Sequence, residues 1–289
     1  MIKNTLHIDF KKKNKNSRIL VFGSTGFIGS AVIKLLKKNK LKFVSLNSKN
    51  LNLINKNSSN KIDKIIKEND IILFAAAQAP VKNEKMFLNN IIMLKNLISS
   101  KKIIKIKNFI YVSSDAVYSD SKNPLNESSL TKPTNLHGLM HLTREIALKS
   151  FFKNKLTIVR PTLIYGHDDP HNGYGPNKFF RDSSKFKKIN LFGKGEEIRD
   201  HVSINDVALI IFNLLRYENN GIINIVSGYP FSFFDIAKKI KNINKNNTII
   251  KFSPRNGPMP HNGYRVFDNT NLINLFPKLK LNNFLKNYF

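Results

Sequence analysis

The sequence contains neither cysteine nor tryptophan, and acidic residues are few. Without cysteine there is no disulfide framework, no thiolate metal site and no cysteine nucleophile, so nothing indicates an oxidising compartment. No apolar run reaches the roughly 18 residues of a membrane-spanning helix, and the first residues lack the continuous apolar stretch of a secretory signal. We therefore expect a cytoplasmic protein without a membrane partner.

The shortage of acidic residues leaves a large positive charge: 48 Lys and Arg against 19 Asp and Glu give +29. Clustered cations bind nucleic acids by releasing counterions from phosphates. However, only eight of these cations are arginine, the side chain that reads base edges most often. The excess of lysine and asparagine is typical of an AT-rich genome. We predict no nucleic-acid partner, although the positive field favours anionic ligands.

Short apolar runs alternate with helical patterns from Arg18 onward. The predicted strands are 19–22, 43–46, 71–75, 109–112, 156–160 and 222–226, with one more strand and a helix within 201–216. The other predicted helices are 27–38, 62–68, 87–99, 137–152 and 233–243. Because parallel strands must be joined by crossovers, this alternation predicts an α/β fold with a Rossmann-like, doubly wound parallel sheet.

Composition divides the chain of 289 residues into three predicted parts. These are a basic N-terminal extension (1–17), a sheet domain (18–165) and a smaller C-terminal lobe (166–289), with parts of 202–227 returning to the sheet. The extension is expected to be loosely held, although Leu6, Ile8 and Phe10 alternate as in a short edge strand. The end of the chain, from Leu272, is expected to consist of turns.

A glycine-rich segment, GSTGFIG at residues 23–29, joins the first buried strand to a helix. Glycines at such a turn let backbone N–H groups and the helix dipole approach a pyrophosphate. Glycines can also serve the turn alone, but a loop in this position of an alternating pattern favours a dinucleotide site.

The GxxGxxG spacing resembles that of the extended short-chain dehydrogenase/reductase family, which comprises epimerases, dehydratases and reductases of nucleotide sugars. Other segments are similar to motifs of that family, in the same order: AAA at 75–77, Asn90, SSDAVYSD at 113–120, RPTLIYG at 160–166, GKGEEIRDHVSINDVA and INIVSG. The resemblance covers about residues 18–268. It implies an NAD(P) cofactor, a nucleotide-sugar substrate and a homodimer packed through the helices at Phe87 and His137.

One departure affects the activity that this resemblance implies. The family's catalytic pair is YxxxK within YGxxKxxxE, but this chain has HGLMHLTRE, with His137 for the Tyr and His141 for the Lys. Gly138 and Glu145 keep the two patterns aligned. A second YxxxK spacing, at residues 174–178, contains Pro176, which would break the helix that the pair requires.

Histidine suits proton transfer because its ordinary pKa of about 6.5 lies near neutrality, whereas a Tyr must shift from about 10. By resemblance, Ser114 would hydrogen-bond the substrate oxygen, His137 would exchange its proton, and His141 would donate to the cofactor ribose. Two alternatives stay open: a binding protein that has lost turnover, or a metal shared by the two histidines. The metal could draw further ligands from His167, Asp168, Asp169 and His171, but we favour a solvated turn there and expect no metal.

The remaining site residues are also implied by the family resemblance. Lys49 follows the second strand where an NAD enzyme would usually have an acidic residue, which slightly favours NADP over NAD. Arg199 and Arg265 would clamp the substrate diphosphate, for which Arg is better suited than Lys. Structural ion pairs with Asp200 or Asp268 are the alternative for these arginines. The full predicted set is Gly23, Thr25, Gly26, Phe27, Ile28, Gly29, Lys49, Ala75, Ala76, Ala77, Asn90, Pro161 and Leu163 for the cofactor, and Ser114, Asp115, Arg199 and Arg265 for the substrate.

Overall fold

The computed structural model describes residues 5–14, 16–152, 154–244 and 247–284. Residues 1–4 and 15 of the predicted extension, and 285–289 of the predicted C-terminal lobe, lie outside the described residues. The strands are β1 His7–Lys13, β2 Ile19–Phe22, β3 Phe43–Leu46, β4 Ile71–Phe74, β5 Asn108–Val112, β6 Leu156–Pro161, β7 Leu163–Tyr165, β8 Lys188–Phe192, β9 Ile198–Ser203, β10 Tyr217–Ile225, β11 Pro230–Ser232, β12 Ile249–Ser253 and β13 Tyr264–Arg265. The α-helices are α1 Phe27–Lys38, α2 Ser58–Ile65, α3 Glu84–Ile98, α4 Leu136–Phe151, α5 Pro176–Phe186, α6 Ile204–Leu215, α7 Phe233–Asn244 and α8 Thr270–Leu275.

The chain forms two compact units. The first comprises Met1–Ser119, Glu127–Pro161 and Val207–Ile225, and the second comprises Asp120–Asn126, Thr162–Asp206 and Val226–Phe289. The predicted boundary falls at residue 165, with parts of 202–227 returning to the sheet. In the structure β10, late in the chain, pairs with β6 in the sheet of the first unit.

A seven-stranded sheet with the order β1-β10-β6-β5-β4-β2-β3 forms the centre of the first unit. Every pairing is parallel except that of β1 with β10. This confirms the α/β, Rossmann-like fold. Strands β2, β4 and β5 are buried along their whole length. Such burial explains their continuous apolar runs, because helices cover both faces of a parallel sheet.

Part of the N-terminal segment is a strand of the sheet. In β1, His7 pairs with Asn220 and Ile8 with Asn219, while the Leu6 and Ile8 side chains are buried. The alternation at Leu6, Ile8 and Phe10 therefore indicated an edge strand correctly, and the expectation of a loosely held segment is wrong for residues 7–13.

The second helix ends earlier than expected, at Ile65 rather than 68, and begins at Ser58. Arg18 donates to the Ile65 carbonyl at 2.6 Å, and Asp70 accepts from the Lys67 amide at 2.8 Å. These two side chains satisfy the backbone groups at the helix end, so the chain turns into β4.

The second unit is built around β9, which pairs with β11, β13 and β7. A parallel pair, β8 and β12, packs with α5 and α7 around an apolar cluster that includes Tyr165, Phe179 and Phe233. The expectation of turns from Leu272 onward is wrong up to Leu275, because that residue ends α8, where Leu272 is buried. Among the described residues, no helix is both long and apolar enough to cross a bilayer.

Candidate active site

The glycine-rich turn closes tightly against the neighbouring strand end. Gly23 has φ +85°, and a Cβ there would lie 2.7 Å from backbone atoms of Ala75 and Ala76. A Cβ on Gly29 would overlap the carbonyl group of Gly23. Glycine is therefore required at both positions, and Gly23 lies between the end of β4 and the first turn of α1.

The N-terminus of α1 remains available to an anion. Its N-cap is Gly26, no side chain caps it, and its first turn carries no acidic residue. Thr25 and Gly26 are exposed, whereas Phe27 and Ile28 are half-buried. The turn also lies where the strand order reverses, since β2 stands between β3 and β4. In open α/β sheets this switch point is where ligands bind, and the helix N-terminus favours phosphate.

The loop after β3 carries no carboxylate at residues 47–50. Instead, the Asn47 side chain accepts from the Lys49 amide at 2.9 Å, and the Asn50 side chain accepts from the Asn47 amide at 2.8 Å. These two bonds order the turn, and the Lys49 side chain is exposed beside it.

Residues 75–77 follow β4 directly, and they are tied to α3 and α4 through Arg144. Arg144 donates to the Ala76 carbonyl at 3.0 Å and to the Asn90 carbonyl at 2.6 Å. Asn90 is fully buried, and its side-chain amide holds the backbone of Gln78. Asn90 thus fixes the backbone of the loop after β4. Ala77, on the same loop, is exposed.

Ser114 and His137 are brought together by the packing of α4. Asn135 caps this helix by accepting from the Gly138 amide at 2.9 Å. A Cβ on Gly138 would overlap the Ala116 carbonyl, so the helix start rests against the short turn that Ser114 begins. The Ser114 hydroxyl accepts from the Ala116 amide at 3.1 Å and donates to the Asp115 carboxylate at 3.3 Å.

His137 is half-buried, and its Nδ1 accepts from the Val81 amide at 3.4 Å. A neutral imidazole with an accepting Nδ1 carries its proton on Nε2. The ring of His137 lies edge-on to that of His141, with 4.8 Å between centroids. In this state His137 offers a hydrogen-bond donor rather than a base.

His141 is almost fully buried, and its Nδ1 lies 2.7 Å from the hydroxyl oxygen of Tyr111. Burial, together with the electrostatic influence of His137 and Arg144, holds the pKa of His141 well below its usual 6.5. Burial likewise raises the pKa of the Tyr111 phenol above its ordinary value. Both groups are therefore neutral near pH 7.

A buried ionic network joins three of the family-like segments. Glu145 receives two hydrogen bonds from Arg160, at 2.9 and 2.5 Å, and one from Ser113 at 2.6 Å. Arg160 also donates to the Tyr118 hydroxyl at 2.8 Å. Burial alone would lower the pKa of Arg160, but the bonds and charge of Glu145 raise it, whereas burial raises the pKa of Tyr118 to about 12. These residues hold β5, β6 and α4 in place.

Pro161 and Leu163, which were predicted to line the nicotinamide, lie in different units. Pro161 ends β6 and pairs with Ile225 of β10 in the first unit. Leu163 begins β7 in the second unit, where it pairs with His201 and is 43% exposed.

In the second unit, β9 and β13 place Arg199 and Arg265 directly opposite each other. Both side chains are buried. Arg199 pairs with Glu197, and Arg265 donates to Asp120 at 3.3 Å; these partners are different from the Asp200 and Asp268 considered in the sequence analysis. Asp200 instead accepts from the backbone of Ser227 and Gly228.

His261 completes this cluster. Its Nδ1 contacts Asp120, and Arg265 lies 3.2 Å from the same nitrogen. Burial and the charge of Arg265 lower the pKa of His261. The guanidinium of Arg265 and the imidazole of His261 therefore both contact the exposed carboxylate of Asp120.

The loop at residues 167–171 serves local contacts. Asp169 pairs with Arg181 at 3.4 Å and accepts from the His171 amide, while the His167 ring packs on Phe180. In the part of the chain that the structure describes, no three His, Asp or Glu side chains are grouped to hold a metal ion.

Tyr111 and Arg144 are not among the residues predicted from the motifs. Arg144 stands three positions after His141 and seven after His137, so helical periodicity alone places the three on one face. Arginine is also scarce in this chain. The contact of Tyr111 with His141 spans β5 and α4, and no local pattern could indicate it.

The parallel sheet, its switch point and the glycine turn define a doubly wound protein of the Rossmann-like class. The comparison with family models is more specific: residues 19–226 match the model described as NAD dependent epimerase/dehydratase family. The chain belongs to this family.

Individual relatives agree with that membership. The chain is 30% identical over 270 residues to a dTDP-D-glucose 4,6-dehydratase from Dictyostelium discoideum, with 78% of this chain and 62% of that protein covered. Thus the chain spans less than two thirds of the length of this relative.

Solved structures share the fold at lower identity. A GDP-L-fucose synthetase from Naegleria fowleri superposes with a TM-score of 0.81 at 19% identity, covering 96% of this chain and 93% of that one. A UDP-glucose 4-epimerase from Thermus thermophilus, in complex with NAD, gives 0.78 at 20% identity, covering 89% and 92%. At these identities the likeness concerns the fold.

Proposed function

We propose that the protein binds a pyridine nucleotide at the glycine turn and uses it for redox chemistry on a nucleotide sugar, as an epimerase, dehydratase or reductase. The observation that carries the proposal is the common location of the parts. The glycine turn, residues 75–77, Ser114 and His137 follow the carboxyl ends of β2, β4 and β5 or pack against them.

The residues around the turn fit such a cofactor. A diphosphate would be held by backbone N–H groups at Thr25–Gly29, because the glycines leave no side chain in its way. Lys49, with no carboxylate in the same loop, favours a ribose 2′-phosphate and hence NADP. When bound, the nicotinamide supplies a hydride donor or acceptor, and Pro161 at the end of β6 would line it.

Proton transfer is assigned to His137, with Ser114 as a hydrogen-bond donor to the substrate oxygen. To accept a proton on Nε2, the ring of His137 must carry its own proton on Nδ1, and the Val81 amide now occupies that nitrogen. We therefore expect ligand binding to move residues 78–83 away from His137.

The same contact favours a second candidate function, a cofactor-binding protein without turnover. If residues 78–83 never release His137, the chain would bind the nucleotide yet exchange no hydride. The elements of the binding site would be unchanged.

In the second unit, the opposed pair Arg199 and Arg265 supports a diphosphate clamp for the substrate. Guanidinium forks bind phosphate in two-point contacts, and burial strengthens the interaction. Glu197 and Asp120 keep both forks oriented until an anion binds.

The decisive experiment separates binding from turnover. The melting temperature of the purified protein should rise with one of the oxidised or reduced pyridine nucleotides. At a hundredfold excess over Kd, binding stabilises the folded state by about 2.7 kcal/mol. A panel of GDP-, UDP- and dTDP-sugars is then assayed for a change in nicotinamide absorbance. No shift with any nucleotide refutes the proposal, and binding without hydride exchange selects the second candidate.

For a substrate found in this way, His137→Gln should lower kcat by about 10²- to 10⁴-fold while nucleotide affinity changes little. His7→Gln, an exposed histidine on β1, is the matched control and should keep the wild-type rate. Turnover that survives His137→Gln would remove His137 from the chemistry.

A further inference from the structure

The neighbours of the Tyr111 hydroxyl determine where the proton of His141 lies. Tyr111 is wholly buried on β5. Among the described residues, Nδ1 of His141 lies within hydrogen-bond distance of its hydroxyl, at 2.7 Å, and the charge of Arg144 acts on the phenol from the same helix as His141.

Only one of these two groups can receive the phenolic proton. Arginine presents five N–H donors and has no acceptor. A buried O–H needs an acceptor, so the Tyr111 O–H donates to Nδ1 of His141. An imidazole whose Nδ1 accepts in this way carries its proton on Nε2 when neutral.

Arg144 is a buried cation whose direct partners are neutral. It is 1% exposed, donates to the carbonyls of Ala76 and Asn90, and lies over the ring of Phe74 at 4.9 Å. Among the described residues no carboxylate forms an ion pair with it, since the neighbouring Glu145 pairs with Arg160 and Lys149.

The charge of Arg144 and the hydroxyl of Tyr111 thus act on the same imidazole. Arg144 and His137 disfavour a proton on His141 from within α4, and Glu145 acts from the same helix on the Tyr111 phenol, disfavouring its ionisation. The positive charge remains about one helical turn further along α4 than the position that the family's lysine would occupy.

We propose that Tyr111 and Arg144 are positioning residues that hold His141 as a neutral Nε2–H donor, with the fixed positive charge of the site carried by Arg144. The use of that donor by a cofactor ribose rests on the proposed function. The tautomer itself does not, because it is a property of the protein without ligand.

The test is nitrogen-detected NMR of the histidine side chains in the full chain without ligand. The His141 signals are assigned from their loss in His141→Gln. In the wild type, Nε2 should be protonated and Nδ1 unprotonated, and neither should titrate through the neutral range. A wild-type His141 that carries its proton on Nδ1, or that becomes charged at neutral pH, overturns the proposal.

Two variants isolate the hydroxyl. Tyr111→Phe should convert His141 to a mixture of tautomers, whereas Tyr118→Phe should leave its spectrum unchanged. Tyr118 is a matched control because it is also a buried tyrosine, bonded to Asn224 and Arg160 rather than to His141. An unchanged tautomer in Tyr111→Phe also overturns the proposal.

Nucleotide affinity gives the link to function separately. If a pyridine nucleotide binds, Tyr111→Phe should weaken it by about two- to tenfold, the value of one hydrogen bond. If none binds, the proposed function fails while the tautomer measurement still decides the role of Tyr111 and Arg144.

Discussion

Several residues that carry the family resemblance have structural duties in this chain. Asp200 holds the backbone of Ser227 and Gly228, and Glu145 neutralises Arg160 inside the first unit. Breaking a buried pair of this kind costs about 3–5 kcal/mol. Such positions would be retained for folding alone, so their presence supports the fold more strongly than it supports activity.

The buried histidine of the second unit leads to a prediction for stability against pH. His201 is 2% exposed, and burial together with the charge of Arg199 lowers its pKa to about 3. In the unfolded chain its pKa is about 6.5, so below that pH the unfolded state binds the extra proton. Stability from this residue is complete above pH 6.5 and is lost as the pH falls toward 3, by about 1.4 kcal/mol per pH unit.

Urea unfolding between pH 4 and 7 measures this loss. The variant His201→Phe has a ring that can pack on Phe233 as the imidazole does. In this variant the slope of the unfolding free energy against pH should correspond to about one proton fewer taken up on unfolding. His171→Gln, on an exposed loop, should keep the wild-type slope. Equal slopes in wild type and His201→Phe would contradict the assignment.

At the scale of elements, the glycine turn between β2 and α1 depends on two backbone properties. Gly23→Ala would place a Cβ against the backbone of residues 75 and 76 and force a non-glycine residue to φ +85°. We expect a loss of about 1–3 kcal/mol of stability and of the nucleotide-dependent melting shift. Gly173→Ala is the control, since its Cβ would meet nothing within 4 Å, and it should stay within about 0.5 kcal/mol of the wild type. Nucleotide binding by Gly23→Ala at wild-type affinity would refute the proposed diphosphate site at the glycine turn.

The elements that could be predicted from the sequence are those with one dominant physical signal. Strands β2, β4 and β5 are continuous apolar runs because both faces are covered, and α1 shows helical spacing at Val32, Ile33 and Leu36. Strands β8, β11 and β12 were not anticipated, because their partly exposed residues give no such run. Their pairing depends on partners distant in the sequence.

Of the candidate site, the sequence indicated the residues that belong to local motifs but not their partners from other segments. The motifs indicated His137, His141 and the arginines, and the register of β9 and β13 accounts for the pairing of Arg199 with Arg265. The partners that tune them, Tyr111 and Asp120, come from other segments. Their roles are properties of the folded chain and not of any local spacing.

At the scale of the whole molecule, the predicted homodimer depends on apolar side chains of α3 and α4. These two helices pack on each other, and their exposed residues include Leu88, Ile92, Leu139, Ile146 and Phe151. The predicted homodimer would bury this face, and apolar patches of this kind commonly mark interfaces.

Sedimentation of charged variants tests the predicted dimer. Ile146→Glu, at a side chain 60% exposed on α4, should convert dimer to monomer. Ile104→Glu, at a side chain 67% exposed in the first unit but outside both helices, should sediment as the wild type. A wild-type protein that is monomeric at micromolar concentration would refute the dimer.

The Glu145 network has a consequence for how this chain tolerates change. Glu145, Arg160, Ser113 and Tyr118 brace the first unit through hydrogen bonds to one another. We therefore expect these bonds to be kept whether histidines or the family's tyrosine and lysine stand at positions 137 and 141. Expression and solubility should therefore differ little between chains with either pair of residues. Only a measurement of ligand binding or turnover would distinguish an active enzyme from an inactive one.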